Sequence, residues 1–432
     1  MTVRPSTGGP TPPRLQSGDD LAAVRARHEA FVARGLKLDM TRGKPAPAQL
    51  DLARDLFAAV GPDDFTAPDG TDTRNYGGLE GLPEARALMG AIMEAPAADV
   101  LIGGNSSLQL MFDALVRCQL FPLPGAATAW GRLSEVRFLC PVPGYDRHFA
   151  ISEHLGHTLV SVPLTGHGPD MDVVEALVRD DASVKGIWLV PKYGNPTGES
   201  LDAETVRRLA AMPTAASDFR IFWDDAYAVH HLDDAGDVVP SILEACRAAG
   251  HPDRAFLFAS TSKITHAGAG ISAFAASPAN VAWTKKHLTR QTIGPDKVNQ
   301  LRHVRFLKDL DGVSAHMKRH AAILRPKFDV VLDVLDAGLG GTGLARWTRP
   351  RGGYFVSLET LPGHARRVVA LADAAGVKLT AAGATHPHGK DPEDRTIRLA
   401  PSYPGLADLK LATEVVVNAV KLAFLESRDV TA

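Results

Sequence analysis

"GIWLVPKYGNPTG" (residues 186–198) joins an unbroken apolar run to a turn rich in glycine and proline. A strand with one wet face alternates apolar and polar side chains; a run without clean alternation suits a strand covered on both faces. The same pattern recurs in "VRFLC" (136–140), "LVSVPL" (159–164), "RIFWD" (220–224), "AFLFAS" (255–260) and "ISAFAAS" (271–277). Segments of helical periodicity lie between them. The reading is an α/β fold with a mostly parallel sheet covered by helices.

Outward from this sheet, "SGDDLAAVRARHEAFVARGLK" (17–37) shows a Ser17/Asp20 capping-box spacing and places Leu21, Val24, His28, Phe31 and Val32 at helical intervals, ending near Gly35. "LEGLPEARALMGAIM" (79–93) predicts a helix with Pro83 in its first turn, and "SSLQLMFDALVRCQL" (106–120) an internal one. Past Lys308 come a long helix (315–338), strands in "GGYFVSLE" (352–359) and "TIRLAPS" (396–402), and a last amphipathic helix (408–427). The expected organisation is a large domain over residues 61–318 and a smaller α/β domain built from 19–60 and 319–432. Residues 1–18, rich in Pro, Gly, Ser and Thr, read as a disordered lead without the apolar centre of a secretory signal.

Composition narrows the function. Lys+Arg 47 against Asp+Glu 49 leaves a net charge of −2, so no basic surplus points to nucleic acid. No uncharged apolar run reaches the length of a membrane span. Cys118, Cys140 and Cys246 lie far apart with no C-x-x-C pair, which suggests neither a disulfide framework nor zinc and fits a reducing cytoplasm. Small-molecule substrates and a second copy of the chain are the expected partners.

Ligands of open α/β sheets collect beyond the carboxyl ends of the strands. There the runs deliver Asn195, then Asp224 with Tyr227, then Ser260 and Lys263; "LIGGNSSLQL" (101–110) adds Asn105, Ser106 and Ser107 at a helix start. Each has a plainer explanation. Asn195 can be a turn former, Asp224 a cap or ion-pair partner, Ser106 and Ser107 ordinary caps, and Lys263 a surface-seeking amine. Their convergence on one rim, in chain order, favours a site.

"NYGGLEGLPEAR", "GGNSS", "YGNPTG", "WDDAY", "STSK" and "IRLAPSYP" occur in the order found in fold-type I, pyridoxal-phosphate-dependent aminotransferases, which the chain resembles from about Leu38 to Tyr403. "LDMTRGKP" and "STSKITHAGAG" resemble a divergent bacterial aspartate aminotransferase subgroup described as MocR-like. The resemblance implies pyridoxal 5′-phosphate bound as an aldimine of Lys263. Lys263, Asp224 and Tyr227 would be catalytic, with Asp224 on the pyridinium and Tyr227 and Asn195 on the phenolic oxygen. Asn105, Ser106, Ser107 and Ser260 would hold the phosphate, and Tyr145 would lie over the cofactor face. Tyr76 would reach a phosphate across the interface of a homodimer. Arg398 would clamp the substrate α-carboxylate, with Gly43 offering an N–H and Asn195 close by. The implied reaction moves an amino group from an L-amino acid, aspartate first, to a 2-oxo acid such as 2-oxoglutarate. Arg42, Lys44 and Lys297 are open candidates for the distal carboxylate.

One departure stands out: many relatives carry a phosphate-binding arginine in a "GWR" context, where this chain has "GAG" and Gly270. Other readings are weighed on the same residues. "GAGISA" (268–273) fits a dinucleotide pattern, but follows no strand and opens no helix. His230 and His231 in "DDAYAVHHLDD" are adjacent and cannot share a helical face as metal ligands do, so no metal is expected and a solvated or interface loop is the default. A C–S lyase would use the same Lys263 and Asp224. A non-catalytic regulator would need a DNA-binding module, for which about forty residues before "TRGKP" leave little room.

Overall fold

The computed structural model describes residues 13–429. Its strands, in chain order, are β1 (Leu38–Asp39), β2 (Val100–Ile102), β3 (Arg137–Val142), β4 (Thr158–Pro163), β5 (Val184–Leu189), β6 (Arg220–Asp224), β7 (Ala255–Ser260), β8 (Ser272–Ala276), β9 (Ala345–Trp347), β10 (Val356–Thr360), β11 (Val377–Lys378) and β12 (Thr396–Leu399). Seven of them form one sheet in the order β2-β8-β7-β6-β5-β3-β4. β4, β3, β5, β6 and β7 pair in parallel; β8 runs antiparallel to β7 and to β2.

The absence of polar alternation has a direct cause in the packing. Leu139, Ile187, Ile221 and Leu257 face one apolar layer, while their neighbours Phe138, Trp188, Phe222 and Phe256 face the other. Helix Ser107–Leu120 covers the aromatic face with Met111, Ala114, Leu115 and Cys118. Its expected full enclosure does not hold at the end, where Leu120 is exposed.

A third apolar cluster lies over the antiparallel sheet β12-β10-β9 and helices Leu21–Ala33, Ala365–Ala374 and Leu406–Asp429. β1 pairs in parallel with β11, Leu38 opposite Val377, tying the early chain to its last third. Helix Leu310–Leu339 bridges the two regions. Val313 and Met317 pack with the large sheet, and Leu324, Phe328, Val331, Leu335 and Leu339 pack with the small one.

Three local expectations are corrected. The first helix is capped by Asp20, whose carboxylate accepts from Ala23 N, rather than by Ser17. The strand expected from Gly352 begins at Val356, because Gly353 turns at φ +75° and a Cβ on Gly352 would stand 2.3 Å from the Tyr193 ring. Of the lead read as disordered, residues 1–12 lie outside the described residues, but 13–18 are docked. Arg14 N donates to Thr342 O at 2.7 Å, Gln16 Nε2 to Ala337 O at 2.9 Å, and Lys421 Nζ to Gln16 Oε1 at 2.9 Å. Among the described residues no helix is long and apolar enough to cross a membrane.

Candidate active site

The ends of β5, β6 and β7 open into a cleft of about 490 Å³. It is lined by Gly43, Ser107, Tyr145, Asn195, Asp224, Tyr227, Lys263 and Arg398, eight of the residues named from the sequence. Asn105, Ser106 and Ser260 sit beside it. Ser260 Oγ donates to Ser262 Oγ at 3.1 Å, and Ser262 Oγ to Asn105 O at 2.9 Å, which fastens the lysine loop to the start of helix Ser107–Leu120. Ser106 caps that helix, its hydroxyl accepting from Gln109 N at 3.4 Å. Tyr76 alone is elsewhere, 84% exposed on a loop outside the cleft.

Asp224 is the last residue of β6 and is buried. His148 Nε2 lies 2.9 Å from its Oδ2, while Oδ1 has no hydrogen-bond partner among the described residues. A buried carboxylate oxygen left without a donor is costly, and marks a place where a donor from outside the chain belongs. His148 is itself fixed by stacking on Trp188, centroids 4.4 Å apart and planes 9° from parallel, and by the edge-on ring of Tyr145 at 4.9 Å. Burial pushes the Tyr145 phenol up to about 12, so it stays protonated.

Lys263 places its Nζ 4.8 Å from the centre of the Tyr227 ring. Burial lowers its pKa, and the attraction of Asp224 opposes this only in part. The result favours a neutral, nucleophilic amine. Three successive residues of its loop are each met by a histidine. His230 Nε2 lies 3.3 Å from Lys263 O, His316 Nε2 2.8 Å from Ile264 O, and His303 Nε2 2.9 Å from Thr265 Oγ1. His230 is thus buried beneath the lysine, so the solvated half of the solvated-or-interface expectation does not hold for it; His231, partly buried, places Nδ1 2.7 Å from Tyr193 Oη.

These histidines carry a pH prediction. Burial holds His303 at about 4, His320 at about 3 and His157 at about 4, with His230 well below its ordinary value. The unfolded chain, with histidine near 6.5, then binds more protons than the folded one between pH ~6.5 and ~4, so stability present above that window falls as pH drops, by about 1.4 kcal/mol per histidine per unit. Asp225, pushed up to about 7 by burial, acts oppositely and offsets roughly one histidine over much of that window. Urea midpoints at pH 7.5 and 5.5 should show the decline; equal midpoints would contradict neutral burial.

Arg398 is 8% exposed at the centre of β12. Its Nη1 donates to Asp146 Oδ1 at 3.1 Å and to Asn195 Oδ1 at 3.2 Å, and its Nη2 to Thr380 Oγ1 at 3.3 Å; its Nε has no hydrogen-bond partner among the described residues. The Phe355 ring lies 5.0 Å from the guanidinium carbon. Gly43 has a steric reason to be glycine: a Cβ there would stand 2.2 Å from Phe355 Cζ. Gly43→Ala is therefore expected to displace Phe355 and destabilise the fold by about 1–3 kcal/mol. The shift of the urea midpoint checks this.

Of the three cations considered for a distal carboxylate, Arg42 lines the cleft. Lys44 Nζ lies over the Tyr403 ring at 4.0 Å, and Lys297 is turned onto backbone carbonyls away from the cleft. Arg147, not considered from the sequence, also lines it. His148, Asp146 and Thr380 were missed as well. The spacing Tyr145-x-x-His148 at a helix start was the available signal, since it puts both rings on one side of the first turn. At Gly270 no longer side chain fits: a Cβ would meet Thr261 Oγ1 at 2.9 Å and Ser262 N at 3.2 Å, while Asn299 Nδ2 pins Ala269 O and Gly270 O.

A parallel sheet with one reversed strand, a lysine loop after β7 and a buried carboxylate ending β6 define a fold-type I pyridoxal-phosphate aminotransferase. The chain belongs to the aspartate amino-transferase family, whose model matches residues 15–430. A relative from Mycolicibacterium smegmatis is 49% identical over 415 residues, covering 95% of this chain and 97% of its own. The aspartate aminotransferase of Corynebacterium glutamicum is 47% identical over 403 residues, 93% of each chain. The crystal structure of an aspartate transaminase from that organism superposes with a TM-score of 0.92 over 94% of this chain and 96% of the other. The chain is a transaminase of the aspartate aminotransferase type.

Proposed function

We propose that the protein transfers the amino group of L-aspartate to a 2-oxo acid such as 2-oxoglutarate, with pyridoxal 5′-phosphate held by Lys263, in a homodimer. The observation that carries this reading is the unpartnered Oδ1 of buried Asp224 in the cleft shared by Lys263 and Arg398. The donor set suits the cofactor. Lys263 would hold it covalently, Asp224 would face its ring nitrogen, Asn195 and Tyr227 its phenolic oxygen, and Tyr145 its ring face. Asn105, Ser106, Ser107 and Ser260 would receive its phosphate at the helix start. When bound, the cofactor supplies the electron sink that labilises the substrate's Cα–H bond.

The chain's own residues do the rest. Arg398 holds the α-carboxylate and so fixes which Cα bond stands where the sink can act. With the cofactor bound, a free Lys263 amine would be the group that takes and holds the proton at the substrate Cα. Arg42 and Arg147 offer cations to a second carboxylate. Residues 19–60 and 319–432 would form a small domain that closes on the large one, 61–318, and excludes water.

The test is the visible spectrum of the purified protein before and after L-aspartate is added without an oxo acid. Conversion of the lysine-bound band to that of the aminated cofactor supports the reading. Conversion by glutamate alone changes the substrate, and no lysine-bound band even after pyridoxal phosphate is added refutes the cofactor. Product released beyond one equivalent per site without an oxo acid would mark a lyase.

A further inference from the structure

We propose that Lys297 is a positioning residue for the neighbouring subunit: it sets the loop that carries Tyr76, and through Tyr76 the grip of the partner's site on its cofactor phosphate. The inference rests on the homodimer proposed above, and on Tyr76 reaching the partner's phosphate as the family resemblance implies. Lys297 opens helix Lys297–Leu307 behind its cap Asp296 and is 4% exposed. Its Nζ donates to Asn75 O at 2.6 Å and to Gly77 O at 2.8 Å, the two carbonyls that flank Tyr76.

A buried ammonium is unfavourable unless hydrogen-bonded, and among the described residues this one makes no ion pair. Its bonding is directed at a single loop. The loop backbone lies directly on the lysine's own segment: Gly77 and Gly78 take φ +98° and +70°, a Cβ on Gly294 would stand 2.5 Å from Gly77 O, and one on Gly78 would stand 3.3 Å from Lys297 Cδ. Tyr76 N is also tied to Asn75 Oδ1 at 2.8 Å. The backbone on both sides of Tyr76 is therefore held, while the tyrosine is 84% exposed.

That combination suits a side chain made for another surface. Ordering a loop at the moment of contact weakens binding, and a loop already held avoids the loss. Helix Lys297–Leu307 also carries Asn299 and His303, which hold the lysine loop of the same chain, so one helix steadies the chain's own site and the loop offered to its partner's.

Subunit pairing tests the inference, read by the dissociation constant for pyridoxal phosphate from the visible band of lysine-bound cofactor. The Lys297→Met homodimer is expected to bind about tenfold more weakly, the size of one lost charge-assisted hydrogen bond. In a heterodimer of Lys297→Met with Lys263→Ala, the remaining lysine site receives Tyr76 from the subunit whose Lys297 is intact, and its affinity should return to within about twofold of wild type by the same reasoning. A heterodimer as weak as the Lys297→Met homodimer would overturn the proposal, because the lysine would then act within its own subunit. Should the methionine variant not fold, Lys297→Arg, which keeps the charge but alters the reach, undergoes the same pairing with the same criteria. The parallel pairing of Tyr76→Phe with Lys263→Ala isolates the underlying reading. If Tyr76→Phe does not weaken binding, or the pairing does not restore it, the cross-subunit site fails whatever Lys297 does.

Discussion

Replacement of Lys263 by alanine is expected to reduce kcat at least about 10³-fold, near the upper part of the range for removing a positioned general acid–base, while leaving the fold intact. Two proposed roles fall together here, covalent attachment of the cofactor and proton movement at Cα, and no other amine among the described residues lines the cleft. Stability should hold because the amine is poorly solvated where it stands; burial already lowers its pKa. Removing a group whose charged form is penalised relieves the site, and its loop remains fixed through backbone atoms, Lys263 O, Ile264 O and Thr261 O among them. Single-turnover kinetics and thermal unfolding of the variant form the check. Undiminished transamination would remove Lys263 from the mechanism; loss of folding would make it structural instead.

What was legible in the sequence follows from what burial does to composition. β3 and β5 to β8 were readable because both faces are covered, so their runs are mainly apolar; Lys185 of β5 lies ahead of the run read there, buried against Asp218. β2 was not, because three residues at a sheet edge are too few to show a pattern. Asp224, Asn195 and Lys263 could be expected in one cleft, where they do lie, because strand ends announce their positions. His148 was not, since its role comes from a partner 76 residues away and a fold that turns the first helical turn after Tyr145 toward β6. Lys297 shows the opposite limit. Its charge made it a candidate for a substrate carboxylate, and only the folded chain reveals that its acceptors are backbone carbonyls.

Asp224→Asn is expected to lower kcat about 10²–10³-fold, the scale of losing one preorganised electrostatic partner in a dry site, with little change in KM. The asparagine keeps the volume, so the effect isolates charge. His148 is a donor to Oδ2 in the native arrangement and needs an acceptor. The amide oxygen will therefore turn to His148, leaving the amide NH₂ at the position of the unpartnered Oδ1. A carboxylate oxygen there attracts a protonated ring nitrogen, whereas an amide donor repels one. The sign of the local field reverses with no change of shape. His148→Asn should cost much less, on the order of tenfold, because it leaves the charge in place and removes one charge-assisted hydrogen bond. Steady-state kinetics on the two variants separate the contributions. An Asp224→Asn enzyme within about twofold of wild type, below the loss of even one ordinary hydrogen bond, would mean that the buried carboxylate serves only to hold His148 against Trp188.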